Sequence, residues 1–371
     1  MLNFYTFFLP FQKLHIGKDV EQIPFLLKRD KGYNSKIIVS KSLFPTDDSF
    51  FVSIKGHRYS LYLRSLLYIF KHRKKIDILN IYHFNPLSII TGLVYKFYNK
   101  KGILLVKADY APYNNEENKK KLTPIYHFFY KKFMNRIDII LVEHEYGFKY
   151  FNNLSFLGKK TTVVKVNNGI DIIYNKLKVN YFEKKNTILY VGRVTVHEKR
   201  VDFLLKALQL IELKNWNVKI IGSIYEDIHD HINEMFISKP YLKQRVTFTG
   251  PIFEKDQLYK EFINAKVVCL VSVSEGAPLV ISEALFFGCY FISTNSSPLI
   301  SEIINDERMG KVTDVNSVSQ FADALQEYIN NEQKHEEYFN YIMNKREMFT
   351  WKNSINLIDE TIKFKIKEKI L

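Results

Sequence analysis

The sequence predicts an α/β protein of two doubly wound parallel-sheet domains facing each other across a cleft. Three observations carry that expectation. Apolar strand-like runs alternate with helix-like segments of roughly 10–15 residues along the chain, the pattern of βαβ units and a parallel sheet. The length of 371 residues exceeds one ordinary core and suits two domains of about 150–200 residues. The stretch 267–294 reads as strand, glycine turn, helix, strand, one complete repeat of such a fold.

In the first half, strands are expected at 2–9, 36–40, 50–54, 77–83, 102–107, 138–143 and 161–166. Helices are expected at 18–29, 58–72, 86–98 and 122–134, with a short one ending at Phe151. Asn167-Asn168-Gly169-Ile170-Asp171 and a Lys/Asn-rich connector to Asn186 then read as a hinge. A second series follows, with strands at 187–192, 218–222 and 245–249 and helices at 201–211, 227–237 and 255–265. It continues through the 267–294 repeat to helices near 298–305 and 316–330. The tail 332–369 reads as helical, broken near Phe349-Thr350-Trp351. The domains are accordingly drawn at 1–170 and 171–351, both Rossmann-like.

The 267–294 repeat concentrates the chemistry. Its first strand, 267–271, ends in a Ser-Glu-Gly turn, Pro278 sits where a helix would begin, and Gly288 stops that helix. The first helical turn points unpaired N–H groups at the carboxyl end of the strand, where open α/β sheets bind ligands and where an anion is stabilised. The helix 279–287 is apolar almost all round, so it is expected to be buried and Glu283 to need donors. Glu275 lies in the turn and Glu283 within the helix. Spacing alone leaves two readings open: a pair of carboxylates flanking a bound diphosphate, or Glu275 as a turn cap with Glu283 paired with a buried lysine or capping a neighbouring helix. Upstream, Gly192 and Arg193 end a strand and Lys199 follows. Arg suits bidentate phosphate contact and Lys acts as a point charge, although solvated charges before a helix would look the same.

Composition narrows the class. At 46% apolar and 25% charged residues the chain is globular. The two cysteines, Cys269 and Cys289, read as core residues, against a disulfide-stapled secreted protein. The start 2–9 reads as a strand and not as a signal peptide, and no apolar run approaches the ~18–20 residues that span a bilayer. The expectation is a cytoplasmic protein, peripheral on the inner face of the cell membrane if it meets a membrane at all. Of the net charge of +15, residues 1–170 carry 28 Lys+Arg against 12 Asp+Glu, so the excess belongs to the first half. Its basic, aromatic stretch (Tyr59, Tyr62, Tyr68 and Phe70 beside Lys71, Arg73, Lys74 and Lys75) reads either as a solvated face over core aromatics or as a surface for anionic lipid. No His/Cys/Asp cluster has metal-ligand spacing, and no Asp-x-Asp pair, Walker loop or Gly-x-Ser-x-Gly elbow is present.

Glu275-Gly276-x-Pro278-Leu279-x-x-x-Glu283 resembles the paired-glutamate motif of retaining glycosyltransferases of the GT-B fold, the family 4 or group 1 type. VGRVTVHEKRVDFLL resembles that family's Gly-Arg-x(5)-Lys-Gly signature, with Arg200 in place of the second glycine. Asn168-Gly169-Ile170-Asp171, Val246-Thr-Phe-Thr-Gly250 and Phe349-Thr350-Trp351 resemble further family segments, so the likeness is strong over about 165–360 and thin before it. The resemblance implies transfer of a sugar from a UDP- or GDP-linked donor to a glycan or polyprenyl-diphosphate-linked acceptor in surface polysaccharide synthesis, with no cofactor and no metal. It implies that Arg193, Lys199 and the helix tip (Gly276, Ala277, Pro278, Leu279) hold the diphosphate. Glu275 would orient the donor sugar, Glu283 the ribose, and Gly250 and Ile252 the base. Gly192 belongs to the same donor set, and the family's N-terminal glycine pair is reduced to Gly17. It points to Asp109 as a catalytic contact with the transferred sugar, and on the acceptor side to His15, Lys18, His83 and Lys107 as candidates. It also implies a C-terminal helix, about 352–371, returning to the first domain. A nucleotide-sugar epimerase on the same fold and a polyanion-binding non-enzyme are the alternatives; no signature of a nucleic-acid module is present.

Overall fold

The computed structural model describes residues 1–46, 48–56, 58–108 and 124–370. The chain divides into two compact units: unit 1 holds Met1–Asn167 and Lys352–Leu371, unit 2 holds Asn168–Trp351.

Unit 1 is built on seven parallel strands, β1 (Asn3–Phe7), β2 (Asn34–Ser40), β3 (Phe51–Ile54), β4 (Ile78–Tyr82), β5 (Ile103–Lys107), β6 (Ile139–Val142) and β7 (Thr162–Lys165). They lie in the order β3-β2-β1-β4-β5-β6-β7. The central strands ILNIY, ILLVK and IILV are buried throughout, as continuous apolar runs must be when both sheet faces are covered. The helices are α1 (Asp19–Lys31), α2 (Arg58–His72), α3 (Pro86–Tyr98), α4 (Pro124–Met134) and α5 (Glu145–Asn152). Leu61 and Ile69 of α2, Ile89 and Tyr95 of α3, Phe133 and Met134 of α4 and Phe151 of α5 enter one core cluster, so all four helices cover the same sheet face. Val20 of α1 packs on the other face with Ile37, Val39 and Tyr82. Local signals explain the ends. Asn85 accepts the Ser88 N–H at 2.9 Å to open α3 at Pro86. Gly32, at φ +71°, closes α1.

Unit 2 has six parallel strands, β8 (Lys185–Val191), β9 (Asn217–Ile221), β10 (Val246–Gly250), β11 (Ala265–Leu270), β12 (Tyr290–Thr294) and β13 (Gly310–Thr313), in the order β10-β9-β8-β11-β12-β13. Its helices are α6 (Val201–Leu210), α7 (His229–Ser238), α8 (Lys255–Asn264), α9 (Leu279–Phe286), α10 (Pro298–Ile303), α11 (Val318–Asn330) and α12 (His335–Asn344). The last helix, α13 (Trp351–Ile370), is tied to unit 1: Asp359 accepts from the Tyr33 hydroxyl at 2.8 Å, and Lys369 pairs with Asp138 at 2.7 Å. Both cysteines are free and buried, and no helix among the described residues is long and apolar enough to cross a membrane.

Three local expectations are corrected. β13 was not expected, because GKVT is short and carries an outward lysine. Pro278 precedes α9 instead of beginning it: its φ of −64° suits a helix but its ψ of 120° is extended. The connector 167–186 is not featureless: it holds two short 3-10 turns, and Lys184 at its end is buried beneath the carbonyls of Phe262, Ile263 and Ala265.

Candidate active site

Both sheets reverse their winding once, between β1 and β4 and between β8 and β11. At such a point the connections leave the strand ends in opposite directions and open a crevice.

In unit 2 this crevice is shaped by glycines. A Cβ on Gly222 would stand 1.7 Å from the Gly192 carbonyl oxygen, and Gly222 holds φ +154°, so the ends of β8 and β9 can approach this closely only with glycine there. Gly192 donates to the Ile221 carbonyl at 2.9 Å, and Gly250, at φ +73°, accepts from Gly222. The chain leaving β8 carries Arg193, whose guanidinium pairs with Glu198. Lys199 follows and pairs with Glu275, 76 residues away in sequence. Glu275 also accepts from the Ser272 hydroxyl at 2.5 Å, and its backbone N–H donates to the Ser296 carbonyl at 2.9 Å, so both its side chain and its backbone are fixed.

Arg200 adopts φ +45°, the left-handed conformation that glycine takes without cost. Its guanidinium reaches the Val315 carbonyl at 3.0 Å and lies over the Phe203 ring. The turn therefore keeps a glycine-like backbone with an arginine in it.

α9 is buried from Val280 to Phe286. Its amino end is clamped by Asn168, whose amide reaches the Ala277 carbonyl at 3.4 Å and whose own carbonyl accepts from Ser282 at 2.9 Å. Gly276 accepts from Ser297 at 2.6 Å. Because Pro278 has no N–H, the donors at this tip are those of Leu279 and the residues after it. Glu283 is buried and accepts from Lys255 at 2.7 Å; burial and then Glu283 push the Tyr259 hydroxyl's pKa up. The pairing of Glu283 with a lysine is the plainer of the two sequence readings, and it is compatible with the other. Ile252 packs partly buried against the α9 core. Gly169 is required where the chain passes between units, since a Cβ would lie 2.5 Å from the Thr350 backbone. There Ile170 and the 349–351 segment exchange hydrogen bonds, so two separate sequence motifs form one joint.

Sequence reasoning missed several participants: Ser272, Lys255, and the residues Thr195, His197, Glu198, Tyr225, Glu226 and Asp227 that line a cavity of about 520 Å3 together with the expected Arg193. Asp227 accepts from Thr195 at 2.5 Å, which lowers its pKa. The run His197-Glu198-Lys199 was the available signal, because alternating charge beside Arg193 implies a local partner.

At the unit 1 crevice, His15 accepts the Gln12 N–H on Nδ1 at 2.9 Å and packs between Phe8 and Phe11. Burial lowers its pKa, and the neutral ring keeps its proton on Nε2. Gly17, at φ +76°, donates to Glu21 at 3.2 Å, and Lys18 is the N-cap of α1. His83 follows β4 with φ +62°, a strained conformation for a side-chain-bearing residue. Lys107 is 1% exposed, paired with Glu143 and 3.7 Å from Asp19. Asp109 lies outside the described residues.

Residues 174–347 match the Glycosyl transferases group 1 family. An uncharacterized glycosyltransferase of Haemophilus influenzae is 32% identical over 45% of this chain and 47% of its own. An alpha-1,4-N-acetyl-D-galactosaminyltransferase of Campylobacter jejuni, named for a diNAcBac-PP-undecaprenol-linked glycan, is 27% identical over 43% of each. The matched stretch thus spans just under half the length of these curated relatives. The structure of the Anabaena protein HepE in complex with UDP superposes with a TM-score of 0.72 at 14% identity, over 98% of this chain and 100% of that one. Two Rossmann-like units with the GT-B fold are what these likenesses establish, and the Glycosyl transferases group 1 match lies within the second.

Proposed function

We propose that the chain is a retaining glycosyltransferase that moves a sugar from a nucleotide-sugar donor to a glycan or lipid-linked glycan acceptor in surface polysaccharide synthesis. The observation that carries this reading is the Lys199–Glu275 pair, which joins the chain leaving β8 to the turn before α9 at the β8/β11 crevice, with Arg193 on that same chain just after β8. The two cations rest on carboxylates, Arg193 on Glu198 and Lys199 on Glu275, and both pairs reach solvent. A diphosphate can replace those carboxylates without burying a new charge.

Replacement does two things at once. Arg193, Lys199 and the N–H groups of the α9 tip offset the charge that grows on the departing diphosphate, the electrostatic term that dominates many transfer reactions. Glu275, released from Lys199 but still held by Ser272, is free to accept from hydroxyls of the donor sugar. Glu283 lies further along α9, where a ribose can share it with Lys255. The donor's anomeric C–O bond breaks and the acceptor oxygen bonds to the same carbon on the same face. The acceptor's proton passes to the leaving phosphate oxygen, so no side-chain nucleophile is needed. In this scheme Arg193, Lys199 and the helix tip take the place of a metal ion.

The relative named for an undecaprenol-linked glycan supports the lipid-linked acceptor class, and the neighbour solved with UDP supports a uridine donor. Thermal-shift titration with UDP and GDP tests the reading. A ligand at 100 times its Kd adds about 2.7 kcal/mol, so a shift with a nucleoside diphosphate, lost in Arg193→Ala, is expected. No shift with either nucleotide at millimolar concentration would remove the donor assignment.

A further inference from the structure

α2, α3 and α4 stand apart from every other described α-helix in carrying no Asp or Glu. They also hold most of unit 1's exposed large apolar residues: Tyr59, Leu63, Leu67 and Phe70 on α2, Ile90, Phe97 and Tyr98 on α3, and Ile125, Phe128 and Phe129 on α4. On α2 the exposed set recurs at helical spacing and forms one stripe, while Leu61, Ser65 and Ile69 form the buried side. Tyr62 and Tyr68 of the same helix are only half-buried, and Tyr68 stacks on His72 4.1 Å away and packs against the core.

The stripes belong to one surface. The inward residues of all three helices enter a single core on one sheet face, so their outward sides share the opposite direction. Phe70 of α2 meets Tyr98 of α3 edge-on at 4.9 Å, with Arg73 over both rings. α3 and α4 touch so closely that a Cβ on Gly92 would lie 2.4 Å from the Phe133 ring. Basic side chains border the apolar residues: Arg64, Lys71, Lys74 and Lys75 around α2, Lys100 and Lys101 after α3, Lys131 and Lys132 on α4.

A monomer rarely leaves contiguous apolar residues on neighbouring helices exposed without a partner. The charge complement identifies that partner: apolar rings bordered by cations, with no carboxylate on the helices, suit an interface of acyl chains beneath anionic headgroups. We propose that the outer face of α2, α3 and α4 docks on an anionic lipid bilayer. The rings enter the headgroup boundary and the lysines meet the phosphates. The inference rests on this face alone and not on the donor site.

The test is co-sedimentation of the full chain with vesicles of phosphatidylcholine alone or mixed with phosphatidylglycerol. Two variants are compared: Lys71→Glu/Lys74→Glu/Lys75→Glu and Leu67→Ser/Phe97→Ser/Phe128→Ser, all at exposed positions, with melting curves to confirm folding. Preference for phosphatidylglycerol is expected, weakened at least about tenfold by the charge variant. The serine variant should lose the fraction of binding that survives high salt. Equal partitioning onto both vesicles, or wild-type binding by both variants, would overturn the proposal. So would sedimentation velocity showing a wild-type dimer that the serine variant abolishes while vesicle binding stays unchanged; that result makes a second copy the occupant.

Discussion

The two crevices share a topology and differ in how their charges are kept. At β8/β11 the Arg193–Glu198 side chains are 52% and 68% exposed and the Lys199–Glu275 side chains 21% and 13%. At the carboxyl ends of β5 and β6 in unit 1, Lys107 and Glu143 are 1% and 5% exposed. An exposed ion pair contributes about 0–1 kcal/mol, so its members exchange partners cheaply. Removing one member of a buried pair costs about 3–5 kcal/mol, because the other charge is stranded. Burial therefore makes Arg193–Glu198 in unit 2 an exchangeable pair and Lys107–Glu143 in unit 1 a structural one, with Lys199–Glu275 between the two.

The largest expected effect follows from that contrast. Lys107→Ala should destabilise the protein by about 3–5 kcal/mol in denaturant unfolding, whereas Arg193→Ala should cost no more than about 1 kcal/mol. Equal losses would abolish the distinction. The next effect reverses direction. Glu198→Gln frees Arg193 from its resting partner and should tighten nucleoside diphosphate binding severalfold, since the exposed pair is worth about 1 kcal/mol or less. Weaker binding in that variant would make Glu198 a ligand contact instead of a placeholder.

Much of this was legible from residue pattern. The alternation of apolar runs with amphipathic segments located every strand of the two sheets except β13 to within a few residues. Glycine and proline punctuation marked the turn at 275–278 because those residues act locally. Pairings were not legible, since they depend on which strand ends become neighbours. Lys107 at the end of a strand reads as a cleft residue until Glu143, 36 positions on, is brought beside it by the β5–β6 pairing. The partner of Glu283 could be expected to be a lysine but not to be Lys255. Tyr62 and Tyr68 could not be separated from Tyr59 and Phe70 by composition; only the helix's angular position does so.

Smaller effects sharpen the comparison. Acid should weaken both units through neutral histidines: burial depresses the pKa of His15 in unit 1 and of His335 in unit 2. Each contributes stability that is fully present above the unfolded value of about 6.5. That contribution is lost as pH falls through the lower folded value, because the unfolded chain binds the proton first. Unfolding followed from pH 7.5 to 5 should show this decline, and His15→Gln should flatten part of it. The smallest effect concerns the left-handed turn before α6. Arg200→Gly should stay within about 1 kcal/mol of wild type, the lost Val315 contact being offset by relief of the strained backbone. Arg200→Val should cost more, as a β-branched residue tolerates that conformation poorly.

The central claim is that Arg193 and Lys199 trade carboxylates for a diphosphate. Isothermal titration of UDP and GDP into wild type, Arg193→Ala and Glu198→Gln tests it most directly. Binding of one nucleotide to wild type, weakened at least about tenfold by Arg193→Ala and strengthened by Glu198→Gln, is the expected result. Identical affinities in all three proteins, each folded by its melting curve, would contradict it.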